Sequence, residues 1–212
     1  MNMEEKKPLK VPKEVKCVSL ELRQKNYEEN FALLRKRYPK VAGWLQDSGN
    51  GKTIAVKLES GDIAFLLQEN GERHWLSEPV RPKDKAKRTL EKCLSPIRTL
   101  EKRLSVGQRG KPLFFIGMGA GYELIEFFNA QPRMLLSKKQ PIYVVERSAD
   151  ILRLNLEIHD WKKILSSGRV FFFVGKKIDG QLRNFFRNAL RPLPEVILCH
   201  EMAQQENQPL AA

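Results

Sequence analysis

PLFFIGMGAGYELIEFF, residues 112–128, decides how this sequence is read. An apolar run ends in three glycines at alternate positions, Gly117, Gly119 and Gly121, and gives way to apolar residues at helical spacing. A strand that enters a helix through a glycine turn lets backbone amides come close to a ligand, and the helix adds its positive N-terminal end. Such a turn favours a phosphate or a carboxylate. The spacing is G-x-G-x-G, with Tyr122 directly after the third glycine, so the dinucleotide fingerprint G-x-G-x-x-G is incomplete.

Downstream, short apolar runs alternate with helical stretches. Leu113–Ile116, Ile142–Glu146, Val170–Val174 and Val196–Cys199 read as strands, and about 122–130, 149–161 and 178–190 as helices. Buried strands separated by helices of this length imply βαβ units and a parallel sheet covered on both faces, the Rossmann-like class. The second strand ends in Glu146, where an acid can accept hydrogen bonds from both hydroxyls of a ribose. Ser148 is placed to cap the next helix, with Asp150 in its first turn. Glycine turn and acid together predict a nucleotide-type ligand. The alternative is a turn that uses its glycines for tight packing and binds nothing.

Upstream the periodicity is different. Residues 26–45 read as helical, with Phe31, Leu34, Tyr38, Val41 and Leu45 on one face and Pro39 ending or interrupting the first helix. Period-two alternation follows: Ile54, Val56 and Leu58 on one strand, then Ile63, Phe65 and Leu67 on the answering strand, with His74-Trp75-Leu76 as a third. Turn signals at residues 59–62 and at Asn70-Gly71 make this a small antiparallel meander. Pro79 and Pro82 break the chain, and a basic helix over 83–104 carries Leu90, Leu94, Ile97, Leu100 and Leu104 as its apolar stripe. Pro96 is expected to kink or divide it. The expected architecture is therefore α/β: a Rossmann-like parallel sheet of about four strands preceded by a small helix and an antiparallel β-meander. Its expected divisions are a flexible leader at 1–16, the helix and meander at 17–80, a basic helical connector at 81–111, the Rossmann-like domain at 112–202 and a disordered tail at 203–212.

The net charge of +13 and a pI of about 9.8 favour anionic partners. From Arg81 to Lys111 basic residues far outnumber Asp84, Glu91 and Glu101, so this segment is either a solvated helix face or an electrostatic patch for nucleic acid or another anion. It holds no aromatic residue for base stacking. Cys17, Cys93 and Cys199 lie far apart without a C-x-x-C pair, which argues against a disulfide framework or a zinc site and for reduced thiols in the cytoplasm. No apolar run is long enough to span a bilayer.

Other signals carry less. DSGNGKT, residues 47–53, lacks the first glycine of a P-loop and reads as the entry to a hairpin. Cys199 and His200 neighbour each other at a strand end, but adjacent strand residues point to opposite faces, so a nucleophile–base pair is not expected. His74 and His159 have no ligand-like spacing and are expected as structural or surface residues.

Two family resemblances follow from these residues. A G-x-G-x-G turn followed by an acid resembles S-adenosylmethionine-dependent methyltransferases, in which an acid usually sits two positions before the first glycine; Phe115 stands there. IGMGAGYEL (116–124) resembles the G-x-G-x-G-Y-x-L turn of the motility accessory factor (Maf) glycosyltransferases, which share a domain with MptE-like pterin pyrophosphokinases. YVVERSADIL (143–152) resembles that family's second strand and acid, and RVFFFVG (169–175) its third strand. The order of helix, meander and basic helix also fits, over roughly residues 26–199. Two positions depart: Ser77-Glu78-Pro79 lacks the family's Tyr and Asp, and Arg147 replaces a usual proline. The resemblance implies a role in flagellar or surface glycosylation, with nucleotide sugars as donors and a protein such as flagellin as acceptor. It matches the N-terminal Rossmann-like part, so the transfer chemistry is expected in a catalytic domain that this sequence lacks. Gly117, Gly119, Gly121, Tyr122 and Glu146 are the candidate ligand-binding residues; no residue stands out as catalytic or as a metal ligand. The ligand would be a nucleotide or nucleotide sugar, or alternatively S-adenosylmethionine.

Overall fold

A computed structural model describes residues 16–46, 52–101, 113–130, 141–189 and 196–199. Its elements are β1 (Lys16–Cys17), α1 (Leu20–Arg37), α2 (Pro39–Gln46), β2 (Thr53–Lys57), β3 (Ile63–Glu69), β4 (Glu72–Trp75), α3 (Pro82–Glu101), β5 (Leu113–Ile116) and α4 (Tyr122–Ala130), then β6 (Ile142–Glu146), α5 (Ala149–Ile158), α6 (Lys162–Ser166), β7 (Val170–Val174), α7 (Ile178–Ala189) and β8 (Val196–Cys199). The expectations for residues 1–15, for 102–111 of the basic segment, for most of DSGNGKT, for His200 and for the tail lie outside the described residues.

The α/β expectation holds. β1-β2-β3-β4 form an antiparallel sheet, and β7-β6-β5-β8 form a parallel one. The parallel strands fall where the apolar runs placed them. Every residue of the central strand β6 is buried, as expected for a strand covered on both faces. One face of this sheet presents Leu113, Phe115, Val144 and Phe172 to α1, α2, α4 and α5. The other presents Tyr143, Val145 and Phe173 to α7, whose Leu182, Phe185 and Phe186 pack on them. α5 lies between the two sheets: Leu152 and Leu156 join the core of the parallel sheet, while Leu154 and Ile158 meet Phe65 and Ala55 of the meander.

Two details depart from the expectations, and the register of the meander adds to them. The helix after Pro82 runs undivided through Pro96. The residue whose carbonyl loses its helical partner there is Lys92, which is exposed, so water can take the carbonyl and the helix need not end. In the meander, Ala55 stands opposite Phe65 and Val56 opposite Ala64, so Ile54 and Val56 face away from Ile63, Phe65 and Leu67. The tight turn between Leu58 and Asp62 (Leu58 N–H to Asp62 C=O, 2.8 Å) sets this register, and burial of both faces makes it tolerable. The first helix begins at Leu20, earlier than its apolar face, because Leu20 and Leu22 are exposed and add nothing to the periodicity.

A buried asparagine fastens α1 to the far end of α5. Asn30 Nδ2 donates to the carbonyls of Leu156 (2.8 Å) and His159 (2.7 Å), and its Oδ1 accepts from Trp161 N–H (3.0 Å). Replacing it with alanine takes the partner from three backbone groups, two of them in buried hydrogen bonds. Asn30→Ala is therefore expected to lower stability by about 2–4 kcal/mol in urea unfolding, against less than about 0.5 kcal/mol for exposed Lys25→Ala on the same helix. Equal effects of the two would contradict this account.

Candidate functional site

The three glycines are needed for backbone reasons. Gly117, Gly119 and Gly121 adopt φ of 76°, 48° and 79°, the left-handed region that side chains rarely enter. Gly117 N–H donates to Val145 C=O (2.8 Å), Gly121 N–H donates to Met118 C=O (2.8 Å), and Gly121 C=O accepts Ile125 N–H (3.1 Å) to open α4. Among the described residues, no acceptor meets the amides of Gly119 and Ala120 at the head of this helix.

Glu146 is brought directly to this turn. Its Oε2 accepts Met118 N–H (2.8 Å), its Oε1 accepts Ser148 N–H (2.9 Å), and its carbonyl accepts Gly175 N–H (3.0 Å). One residue at the end of β6 thus joins the loops that leave β5, β6 and β7. The side chain is buried at 5% exposure, so these backbone donors supply what water would otherwise give a carboxylate. Ser148 caps α5, its Oγ accepting from Ile151 N–H (3.4 Å), with Asp150 in the first turn.

The turn is held from beneath by residues that the sequence did not single out for this. Asn155 Nδ2 donates to Gly119 C=O (2.9 Å) and Ile151 C=O (2.9 Å). Its Oδ1, which has no hydrogen-bond partner among the described residues, occupies the space a side chain on Gly121 would need. His159, expected as a structural or surface residue, donates from Nε2 to Ala120 C=O (2.8 Å) as a neutral imidazole. Burial holds its pKa down at about 4, with the Lys83 ammonium helping and the Ala120 carbonyl opposing. Neither residue lies near the turn in sequence, so no local pattern could have revealed them.

Tyr122 leans the other way. Its hydroxyl accepts Ile63 N–H of β3 (2.8 Å), and its ring meets His159 edge-on at 5.1 Å. Burial pushes the phenol pKa up to about 12, against the Ile63 hydrogen bond. Tyr122 therefore ties the glycine turn to the meander. Ala86 of α3 covers the same turn by packing on Ala120 and Tyr122. Met118 is buried as well; among the described residues at this edge, Gly117, Arg147, Ser148 and Gly175 keep some exposure. Phe115, at the position where methyltransferases carry an acid, is a core residue stacked edge-on to Phe127 at 5.9 Å. On α3, Ala86 and Leu90 face inward while Lys83, Lys87, Arg88 and Lys92 face solvent. Among the described residues there is no cluster of His, Cys, Asp and Glu able to hold a metal, and no helix long and apolar enough to cross a membrane.

Two outcomes follow from this geometry. A Cβ on Gly121 would lie 2.1 Å from Asn155 Oδ1 and 3.1 Å from Trp161 Cζ2, so Gly121→Ala is expected to cost about 2–4 kcal/mol in chemical unfolding. Gly43→Ala on α2, where a Cβ meets nothing within 4 Å, should instead be neutral or stabilising by up to about 1 kcal/mol. His159 takes a proton near pH 6.5 when unfolded but only near pH 4 when folded, so stability is full above the higher value and declines as pH falls through this window. His159→Gln, which can still donate to Ala120, should flatten that slope; an unchanged slope would show that another group causes it.

The comparisons with known proteins bear on the fold. No protein-family profile matches the sequence, and no curated protein matches it. Among solved structures, the MAf glycosyltransferase from Magnetospirillum magneticum AMB-1 superimposes over 86% of this chain with a TM-score of 0.56 at 17% identity. MNMC2 from Aquifex aeolicus aligns over 73% of this chain and 57% of its own at 12% identity, but a TM-score of 0.33 is too low to inform the fold. The chain spans 34% of the length of the MAf glycosyltransferase, and the fold it shares with that part is Maf-like.

Proposed function

We propose that this chain is a Maf-type Rossmann-like unit that serves protein glycosylation by binding a nucleotide-type ligand, a nucleotide sugar being the natural form. The ligand would sit at the C-terminal edge of the parallel sheet, and the transfer chemistry would belong to a separate catalytic domain. The observation that supports this most is the meeting of three loops on Glu146, one strand away from the reversal of strand order between β5 and β8. β5, β6 and β7 are laid down in one direction and β8 returns to the other side of β5, so the crevice beside the glycine turn is where open α/β sheets take ligands. The Maf-like fold then favours a nucleotide sugar over other ligands of such crevices. A buried Phe115 where a methyltransferase would carry an acid weighs against S-adenosylmethionine. A surface protein such as flagellin would be the acceptor.

Calorimetry with a nucleoside diphosphate, a nucleotide sugar and S-adenosylmethionine tests this. Saturable heat is expected from the first two, in the micromolar to millimolar range, and none from the third. Glu146→Gln, with its fold checked by circular dichroism, should weaken the nucleotides by about 10-fold. Silence from every ligand at millimolar concentration would overturn the ligand reading, and heat from S-adenosylmethionine alone would move the chain to the methyltransferases. In cells, deleting the gene should reduce the mass of a glycosylated surface protein; unchanged glycosylation would count against the pathway.

A further inference from the structure

On the premise of a nucleotide ligand, we propose that the loops after β6 and β7 hold its phosphates, with Arg147, Lys176 and Lys177 as the phosphate-recognising residues. The topology brings the three together. Glu146 pairs with Val174 in the sheet, so Arg147 and Gly175 leave adjacent strands side by side. Gly175 N–H donates to Glu146 C=O (3.0 Å), which fixes one loop against the other. All three cations are exposed, and no ion pair engages any of them among the described residues. The acids nearest in sequence, Asp150 and Asp179, sit in the first turns of α5 and α7, where helix N-termini stabilise them.

The position is built rather than incidental. β7 is an edge strand, and its last residue is closed off by a side chain: Gln181 Oε1 accepts Val174 N–H (3.2 Å) while its Nε2 donates to Val174 C=O (2.8 Å). This amide clamp sets where α7 starts, and so where Lys176 and Lys177 stand. Gly175 has φ of 89°, and a Cβ there would meet nothing within 4 Å. A phosphate can therefore approach the backbone at Gly175 without displacing anything. The N-terminus of α7 adds its positive end on the same side. Gly119, Ala120 and Gly121 are buried, so a nucleotide laid along the edge would place its phosphates over the cations rather than at the glycine turn, with its sugar near Glu146 between the two. A sulfonium cofactor, which is itself cationic, would be repelled.

The test uses uridine diphosphate, inorganic pyrophosphate and uridine as probes, titrated calorimetrically into the full chain. Two variants are compared: R147Q/K176Q/K177Q, and R88Q/K87Q/K92Q, which removes the same charge from the solvent face of α3. The first is expected to weaken uridine diphosphate and pyrophosphate by about 10-fold or more and to leave uridine unaffected; the second should change affinity by less than about 3-fold. Uridine diphosphate that binds the wild type and the first variant equally would overturn the subsite and leave the nucleotide reading standing. Equal weakening in both variants would overturn it too, since the effect would then be net charge. If neither phosphate probe binds the wild type, the subsite and the nucleotide reading fall together. Should a single-stranded RNA bind far more tightly than uridine diphosphate and lose affinity in the first variant, the surface is a polynucleotide track and the small-ligand proposal is wrong.

Discussion

A buried carboxylate organises the C-terminal edge of the parallel sheet. Glu146 sits at the end of a strand buried at every position and reaches three loops through its two side-chain oxygens and its carbonyl. An acid buried this deeply is tolerated because backbone amides donate to it. Those amides are in turn fixed by it, so the glycine turn, the entrance to α5 and the turn before α7 share one support. The shape of any ligand crevice at this edge depends on that support.

The layer beneath is equally particular. α5 separates two sheets and presents something to each: leucines to both, Asn155 to the glycine turn, and its last carbonyls to Asn30 of α1. The meander is attached to the turn through Tyr122 as well as through apolar contact with α5. A change at the turn is therefore transmitted to β3 by a hydrogen bond, and the two sheets are coupled where the candidate ligand would sit. Tyr122 and Leu124, the residues that suggested a Maf-type turn, serve this coupling and the core: Leu124 is buried between the helices and the parallel sheet.

Much of the parallel half was legible in the sequence, for a physical reason. Strands buried on both faces must be continuously apolar, and LFFI, IYVVE and VFFFV admit few other readings. Glycines with positive φ announce a tight turn wherever they follow such a run. The meander was legible as strands but not in register, because register was set by a turn whose geometry is not written in the apolar pattern. The two-residue β1 and the one-turn helix α6 are too short to show a period. Pro96 does not divide its helix because a helix tolerates proline when the orphaned carbonyl is solvated. The residues that hold the turn were invisible for a different reason: Asn155, His159 and Asn30 act across the fold on backbone groups remote in sequence, and a lone Asn or His has no pattern until its partners are known. Glu146 could be found as an acid at a strand end, but not as the tie between loops.

On the proposed reading a nucleotide binds at the C-terminal edge of the parallel sheet rather than on the exposed face of α3. Hydrogen–deuterium exchange with and without saturating uridine diphosphate examines every amide at once. Slowed exchange confined to the turn at 117–122, the β6 exit at 146–149 and the β7 exit at 175–179 is the predicted result. Protection centred on the exposed face of α3, with these three loops unchanged, would contradict it.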